Sequence, residues 1–194
     1  MKVIGVLLFA GCILAADREV TVGPKGQYST VQAAVDAVPP RTVIHILPGV
    51  YKERVVVPYA KPFLTFRGDD PLTTVITNNS HAGLPGPKGP INTFATPTVF
   101  IQANDFTAQG LTFENSAGNQ GQAVALTIMG DRGIFRNCRF LGLTGQSLPG
   151  FMVYRVCGPR RGFWSSGWRA GRGVCERGYR AWNDGTFRVH AGSQ

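Results

Sequence analysis

Histidine and cysteine are scarce in this 194-residue chain: three His, scattered, and four Cys with no Cys-x-x-Cys pair. That excludes the usual zinc sites, which need thiolate or imidazole ligands at close spacing, so no metal and no cofactor is expected. Long apolar runs are missing too. The longest, Val3 to Leu14, falls short of the roughly 20 residues that cross a bilayer, so no integral membrane segment is expected after processing. Helical periodicity is confined to one segment, which disfavours a doubly wound βαβ architecture. Carboxylate clusters that could hold calcium are not visible. Residues 143–194 contain neither Lys nor Ile.

What is present is unevenly placed. Residues 1–142 hold 12 Lys/Arg against 9 Asp/Glu; residues 143–194 hold 8 Arg against Glu176 and Asp184, so +6 of the total +9 sits in the last quarter. All three Trp (Trp164, Trp168, Trp182) lie there as well. A net +9 can mark a polyanionic partner, either nucleic acid or an acidic polysaccharide. The clustering of charge argues against nucleic acid.

Residues 1–16 read as a signal peptide, with a basic start at Lys2, an apolar stretch and small Ala15-Ala16 before polar Asp17-Arg18-Glu19. A buried N-terminal strand or helix is the alternative, and Phe9-Ala10-Gly11-Cys12 weakly resembles a lipoprotein cleavage site. Cleavage implies a secreted protein and leaves Cys138, Cys157 and Cys175, an odd count that completes no disulfide framework. Asn78-Asn79-Ser80 is a glycosylation sequon.

Ser29 to Val38 is the one expected helix. Ser29 caps it, Val31, Ala34, Val35 and Val38 form an apolar face, and Pro39-Pro40 ends it. Such a helix suits the covering of an open hydrophobic end. Strand-like runs follow at Thr42–Leu47, Arg54–Val57, Phe63–Arg67, Thr74–Thr77, Thr98–Gln102, Phe106–Glu114, Ala123–Met129 and Ile134–Leu141. Leu64-Thr65-Phe66-Arg67-Gly68 recurs 47 residues on as Leu111-Thr112-Phe113-Glu114-Asn115, and Cys138-Arg139-Phe140-Leu141-Gly142 follows 27 later. Repeated short strands without helices favour an all-β parallel β-helix. Short apolar runs leave a β-sandwich open. Gly83 to Pro90 looks collagen-like for eight residues, too few for a triple helix, and reads as a surface loop.

Several segments, in order, resemble one family. Tyr28-Ser29-Thr30-Val31-Gln32-Ala33-Ala34-Val35-Asp36-Ala37-Val38-Pro39 is similar to the opening of pectinesterases, and Gly49-Val50-Tyr51-Lys52-Glu53 to their Gly-x-Tyr-x-Glu segment. Asn92-Thr93-Phe94 with Thr98-Val99 resembles their Thr-Phe region. Leu111 to Gly118, Gln122-Ala123-Val124-Ala125-Leu126, Asp131-Arg132 and Phe135-Arg136-Asn137-Cys138-Arg139-Phe140-Leu141-Gly142 complete the run. The resemblance implies a right-handed parallel β-helix and demethylation of methyl-esterified homogalacturonan in pectin. By resemblance, the family's reaction has one Asp attack the ester carbonyl and a second act as acid and then base, while Gln side chains hold the oxyanion.

Carried over by resemblance, Gln122 matches the first oxyanion Gln and is the catalytic candidate; Thr93 and Gln122 are the substrate-binding candidates. Tyr51 and Glu53 fit structural roles, and Asp131 matches no catalytic position. The likeness departs at Leu143. The family continues Trp/Tyr-Gln-Asp-Thr-Leu, whereas this chain reads Leu143-Thr144-Gly145-Gln146-Ser147-Leu148; Gln146 echoes the Gln, but no Asp follows. The family's Asp-Phe-Ile-Phe-Gly and Leu-Gly-Arg-Pro-Trp motifs are absent. The expected organisation is therefore a signal peptide at 1–16, a pectinesterase-like β-helix at 17–142 and a basic, irregular tail at 143–194 of shifted-frame character. A monomer is expected, with little activity of its own. A non-catalytic polysaccharide-binding protein is the competing expectation. A pectate lyase-like enzyme would want the missing calcium clusters.

Overall fold

The computed structural model describes residues 18–144 and short strands at 148–149, 153–155, 179–181 and 186–189. The chain winds as a right-handed parallel β-helix with three strands per coil. After β1 (Arg18–Val22) and α1 (Val31–Ala37), the first coil is β2 (Thr42–Ile46), β3 (Gly49–Lys52) and β4 (Val55–Val57). The second is β5 (Thr65–Gly68), β6 (Thr74–Asn78) and β7 (Val99–Ile101). The third is β8 (Thr107–Gln109), β9 (Thr112–Asn115) and β10 (Leu126–Ile128), and the fourth opens with β11 (Gly133–Arg136) and β12 (Arg139–Thr144). Like strands stack in parallel: β1-β2-β5-β8-β11 as the first sheet, β3-β6-β9-β12 as the second, β4-β7-β10 as the third.

Register shows how sequence length maps onto coils. Val43 pairs with Thr65, Thr65 with Thr107 and Thr107 with Ile134, so successive coils take 22, 42 and 27 residues. The long second coil carries its excess as an excursion between β6 and β7, residues 79–98, which includes the segment that looked collagen-like. The Leu-Thr-Phe repeat therefore needs one correction. Phe113 does stack on Phe140 in register, 27 residues apart, as expected. Leu64-Thr65-Phe66, however, lies in the first sheet, where Phe66 pairs with Ala108 and not with Phe113. Similar local composition arises wherever a strand alternates inward apolar with outward polar residues, whichever sheet it serves.

Inward positions fill the core: Ile44, Phe66, Ala108 and Phe135 from the first sheet, Tyr51, Ile76 and Phe113 from the second, Val55, Val99 and Leu126 from the third. Phenylalanines stack from coil to coil, with Phe66 edge-on to Phe106 at 4.9 Å and Phe113 stacked on Phe140 at 5.5 Å, and meet across the core, with Phe113 edge-on to Phe135 at 6.2 Å. Burying such a side chain stabilises by about 1.5–3 kcal/mol.

Helix α1 is shorter than expected and is capped by Thr30, whose hydroxyl accepts from Ala33 N at 3.2 Å, rather than by Ser29. Its apolar face packs on the first coil as anticipated, with Val31, Ala34 and Val35 buried. Glu53 accepts from Val31 N (2.8 Å) and Gln32 N (2.9 Å), satisfying two of the amides that a helix start leaves open. Lys61 Nζ donates to Asp36 O (3.1 Å) and to Val38 O at the other end. The Gln32 amide accepts from Val56 N at 2.7 Å, so it closes part of the free edge of β4.

Two expected strands each break into two. Phe106–Glu114 divides at Gly110 (φ +66), and Ile134–Leu141 divides at Asn137 (φ +47). These residues turn the chain from the first sheet to the second, and a left-handed backbone comes easily to Gly and Asn. The corner from the third sheet back to the first is built otherwise. Arg41, Phe63, Asp105 and Arg132 stack there, one per coil, with φ of 60°, 60°, 58° and 57°. A left-handed conformation costs an ordinary residue roughly 1–2 kcal/mol. Strands β1 and β3 are elements that alternation alone did not reveal.

Beyond Gly142 the described residues are short strands. β13 (Leu148–Pro149) pairs antiparallel with β12, and β14 (Val153–Arg155) extends the third sheet in parallel beside β10. β16 (Thr186–Val189) pairs antiparallel with β11 and with β15 (Tyr179–Ala181). Residues 1–16, Gln146, Cys157, Trp164, Trp168, Cys175, Trp182 and Asp184 lie outside the described residues.

Candidate functional site

The corner between the second and third sheets holds both candidate residues. It is organised by Asn115, the last residue of β9 and 2% exposed. Asn115 Nδ2 donates to Ser80 O (2.9 Å), Val124 O (3.1 Å) and Thr96 O (3.2 Å), while its Oδ1 accepts from Ala117 N at 3.1 Å. One side chain thus ties the 79–98 excursion to the segment leading into β10. Thr96, fully buried, continues the network: its hydroxyl donates to Thr93 O at 2.7 Å and accepts from Val124 N at 3.2 Å.

This frame brings Thr93 and Gln122 together. Thr93, on a single 3-10 turn over Thr93–Ala95 that Asn92 caps, donates its hydroxyl proton to Gln122 Oε1 at 2.6 Å. Gln122 is exposed, and its own carbonyl accepts from Ala82 N at 2.8 Å. Gly121 lets the strands close: a Cβ there would lie 2.6 Å from Ala82 O. With Oε1 occupied by Thr93, the Nε2 donors of Gln122 face outward without a partner among the described residues. An amide held this way suits an anionic oxygen, because its orientation is set before the charge develops. Phe94, half exposed beside it, adds an apolar surface.

The other sequence candidates fall elsewhere. Tyr51 is buried, its hydroxyl 2.7 Å from Leu47 O and 3.1 Å from Val22 O, and burial, with a smaller push from the Glu53 charge, raises its phenol above the ordinary tyrosine value. Glu53 serves α1. Asp131 sits at the far corner and accepts from Arg132 at 3.2 Å. Asn115 and Thr96 were not singled out in the sequence, although Asn115 ends the Leu-Thr-Phe-Glu-Asn run, where a buried amide leaves a strand. Among the described residues no cluster of three His, Cys, Asp or Glu is placed to hold a metal ion, and no helix is long and apolar enough to cross a membrane.

Comparison with known proteins agrees with this fold. A family model described as Pectinesterase matches residues 17–147. Pectinesterase 31 of Arabidopsis thaliana is 42% identical over 141 residues, covering 66% of this chain and 44% of the relative. The solved pectin methylesterase from carrot is 37% identical with a TM-score of 0.54, over 62% of this chain and 38% of that one. A pectin methylesterase solved in complex with hexasaccharide VII is 29% identical with a TM-score of 0.57, over 64% of this chain and 43% of that one. The chain therefore spans less than half the length of these relatives. Its coil architecture and its match over more than half its residues lead to one conclusion: the chain belongs to the pectinesterase family.

Proposed function

We propose that this protein is a secreted carbohydrate esterase component that engages methyl-esterified homogalacturonan, with Thr93 and Gln122 contacting the ester group to be cleaved. The observation that carries this reading is the Thr93–Gln122 hydrogen bond of 2.6 Å, which presents an amide donor at the corner where the family signature lies. In the full reaction a carboxylate attacks the ester carbonyl, the Gln122 amide stabilises the oxyanion, and methanol leaves as the acyl-enzyme forms; water then releases the acid. The related pectin methylesterase solved with a hexasaccharide supports an oligosaccharide ligand. Export through residues 1–16 would bring the protein to cell-wall pectin.

Turnover by this chain alone is proposed to be low. Among the described residues no Asp or Glu bonds to Gln122 or Thr93, and residues 143–194 contain only Asp184 and Glu176 as carboxylates. Catalytic groups that act as a unit are strongly non-additive, so an oxyanion donor without its nucleophile leaves only residual rate. The same observation favours the second reading, a polysaccharide-binding role without catalysis. Methanol release from highly methylated pectin tests both. The 194-residue chain should release little, whereas a chimera in which the relatives' aspartate-bearing segment follows Gly142 should be active and should lose about 100-fold in kcat with Gln122→Ala. Equal turnover by chain and chimera would put Asp131 or Asp184 back in contention as the nucleophile.

A further inference from the structure

The corner between the third and first sheets lies across the width of the third sheet from Thr93 and Gln122. Its left-handed positions carry Arg41, Phe63, Asp105 and Arg132, whereas the corner between the first and second sheets uses Gly110 and Asn137. Arg41, Phe63 and Arg132, for which this backbone is unfavourable, recur at one position of successive coils and point to a task for their side chains. Two of those tasks are internal. Arg132 holds both oxygens of Asp105, Nε to Oδ1 at 2.6 Å and Nη2 to Oδ2 at 2.7 Å. The Arg41 guanidinium lies 3.9 Å from the centre of the Phe63 ring.

What remains is unspent. Among the described residues, Arg41 makes no hydrogen bond through its guanidinium, although a guanidinium carries five donors. Beside it opens a pocket of about 210 Å³ lined by Arg41, Val43, Phe63, Thr65, Asp105 and Thr107. Val43, Thr65 and Thr107 are register partners, so the two threonines stand one coil apart, about 4.8 Å, on the outer face of the first sheet. Neither hydroxyl has a side-chain hydrogen bond among the described residues. Phe63, 40% exposed, supplies an apolar wall. Asp105 is held by two nitrogens of Arg132, and the Arg41 charge reaches it only through space, so a planar cation with unused N–H donors, two hydroxyls in a row and an aromatic wall match one ligand class: a pyranose ring bearing a carboxylate. The guanidinium would take the carboxylate through two parallel N–H bonds, the threonines would meet ring hydroxyls, and Phe63 would cover an apolar ring face.

We propose that this corner pocket is a second saccharide site, selective for a uronate unit and separate from the Thr93–Gln122 corner. The choice of a uronate over other acidic sugars rests on the substrate class proposed above; the site itself rests on the corner. In such a site the polymer is held on two faces, and de-esterified units, which carry the free carboxylate, bind here in preference to esterified ones.

The test is an amide-resolved NMR titration of the full chain with trigalacturonate, with neutral trigalactose and acetate as controls. Trigalacturonate should shift the resonances of Phe63 to Phe66 and of Thr107. Affinity at these signals should fall about tenfold or more in Arg41→Gln and stay unchanged in Gln122→Ala. If Arg41→Gln fails to fold, the paired Thr65→Val, Thr107→Val variant should weaken binding by about fivefold at the same signals. Unmoved corner signals, equal affinity in the Arg41 and threonine variants, or equal shifts from trigalactose or acetate would each overturn the proposal. Binding lost only with Gln122→Ala would sink this site while leaving the esterase reading standing. The esterase reading stands or falls separately, on methanol release by the chimera.

Discussion

Asn115 illustrates how one residue can matter to the site without touching a ligand. Its amide serves three carbonyls, two from the ends of the 79–98 excursion and one from the segment leading into β10. Asn115→Asp keeps the shape but sets an acceptor against those carbonyls, and should cost about 3 kcal/mol or more in denaturant unfolding. It should also loosen the Thr93–Gln122 pair, read as a rise in KM or a loss of pectin binding. Thr93→Val should leave stability within about 1 kcal/mol, because its hydroxyl partner Gln122 is exposed and water can replace it. Cys138 makes a different residue-scale point. Burial pushes its thiol up to about 11, partly offset by neighbouring backbone amides. The folded protein should therefore keep Cys138 protonated at about pH 8, and peptide mapping after iodoacetamide should show it alkylated slowly until the chain is unfolded. The sign follows from linkage: a raised acid pKa means stability is lost as pH climbs from the ordinary thiol value towards 11.

Elements show where the sequence was legible and where it was not. Most strands could be found because inward Val, Ile and Phe alternate with outward polar residues. Their corners could not. Gly110 splits one apolar run into strands of different sheets through a single φ of +66, and nothing in composition separates that glycine from one in a loop. Strand β3 was missed as a strand because Gly49, exposed Val50 and Lys52 leave only Tyr51 facing inward. The Thr93–Gln122 pair was approached only through family likeness: 29 residues separate the two, and a network centred on Asn115 joins them. Gly110→Ala tests the corner. A Cβ there would lie 2.5 Å from Gly68 O on a left-handed backbone, so a loss of about 2 kcal/mol or more is expected in thermal or urea unfolding. Glu53→Ala tests the seat of α1. Losing two charge-assisted bonds to Val31 N and Gln32 N should cost roughly 1.5–3 kcal/mol, with saccharide binding unchanged.

Across the whole molecule each coil rests on its neighbours, so stability is close to a sum of coil and interface contributions. Charge enters that sum at the Asp105–Arg132 junction between coils. The Arg132 hydrogen bond holds the Asp105 carboxyl below the ordinary carboxylate range; burial opposes it, and the Arg132 and Arg41 charges add smaller downward pushes. A depressed carboxylate stabilises the fold above its unfolded pKa and loses that contribution as pH falls through the depressed value. Asp105→Asn should therefore flatten the acid limb of a stability profile taken from about pH 6 down to about pH 2. An unchanged limb would show that the junction contributes nothing to acid stability.

The 79–98 excursion has a consequence of another kind. It departs after β6 and returns at β7, and both strands keep their places between the coils above and below. Ser80, Ala82 and Thr96 anchor its two ends, and between those anchors the stack does not register what the chain does. Thr93, Phe94 and the Gly83–Pro90 tip thus stand on a segment that can lengthen, shorten or change composition while the scaffold keeps its shape, which makes ligand choice and architecture separately heritable.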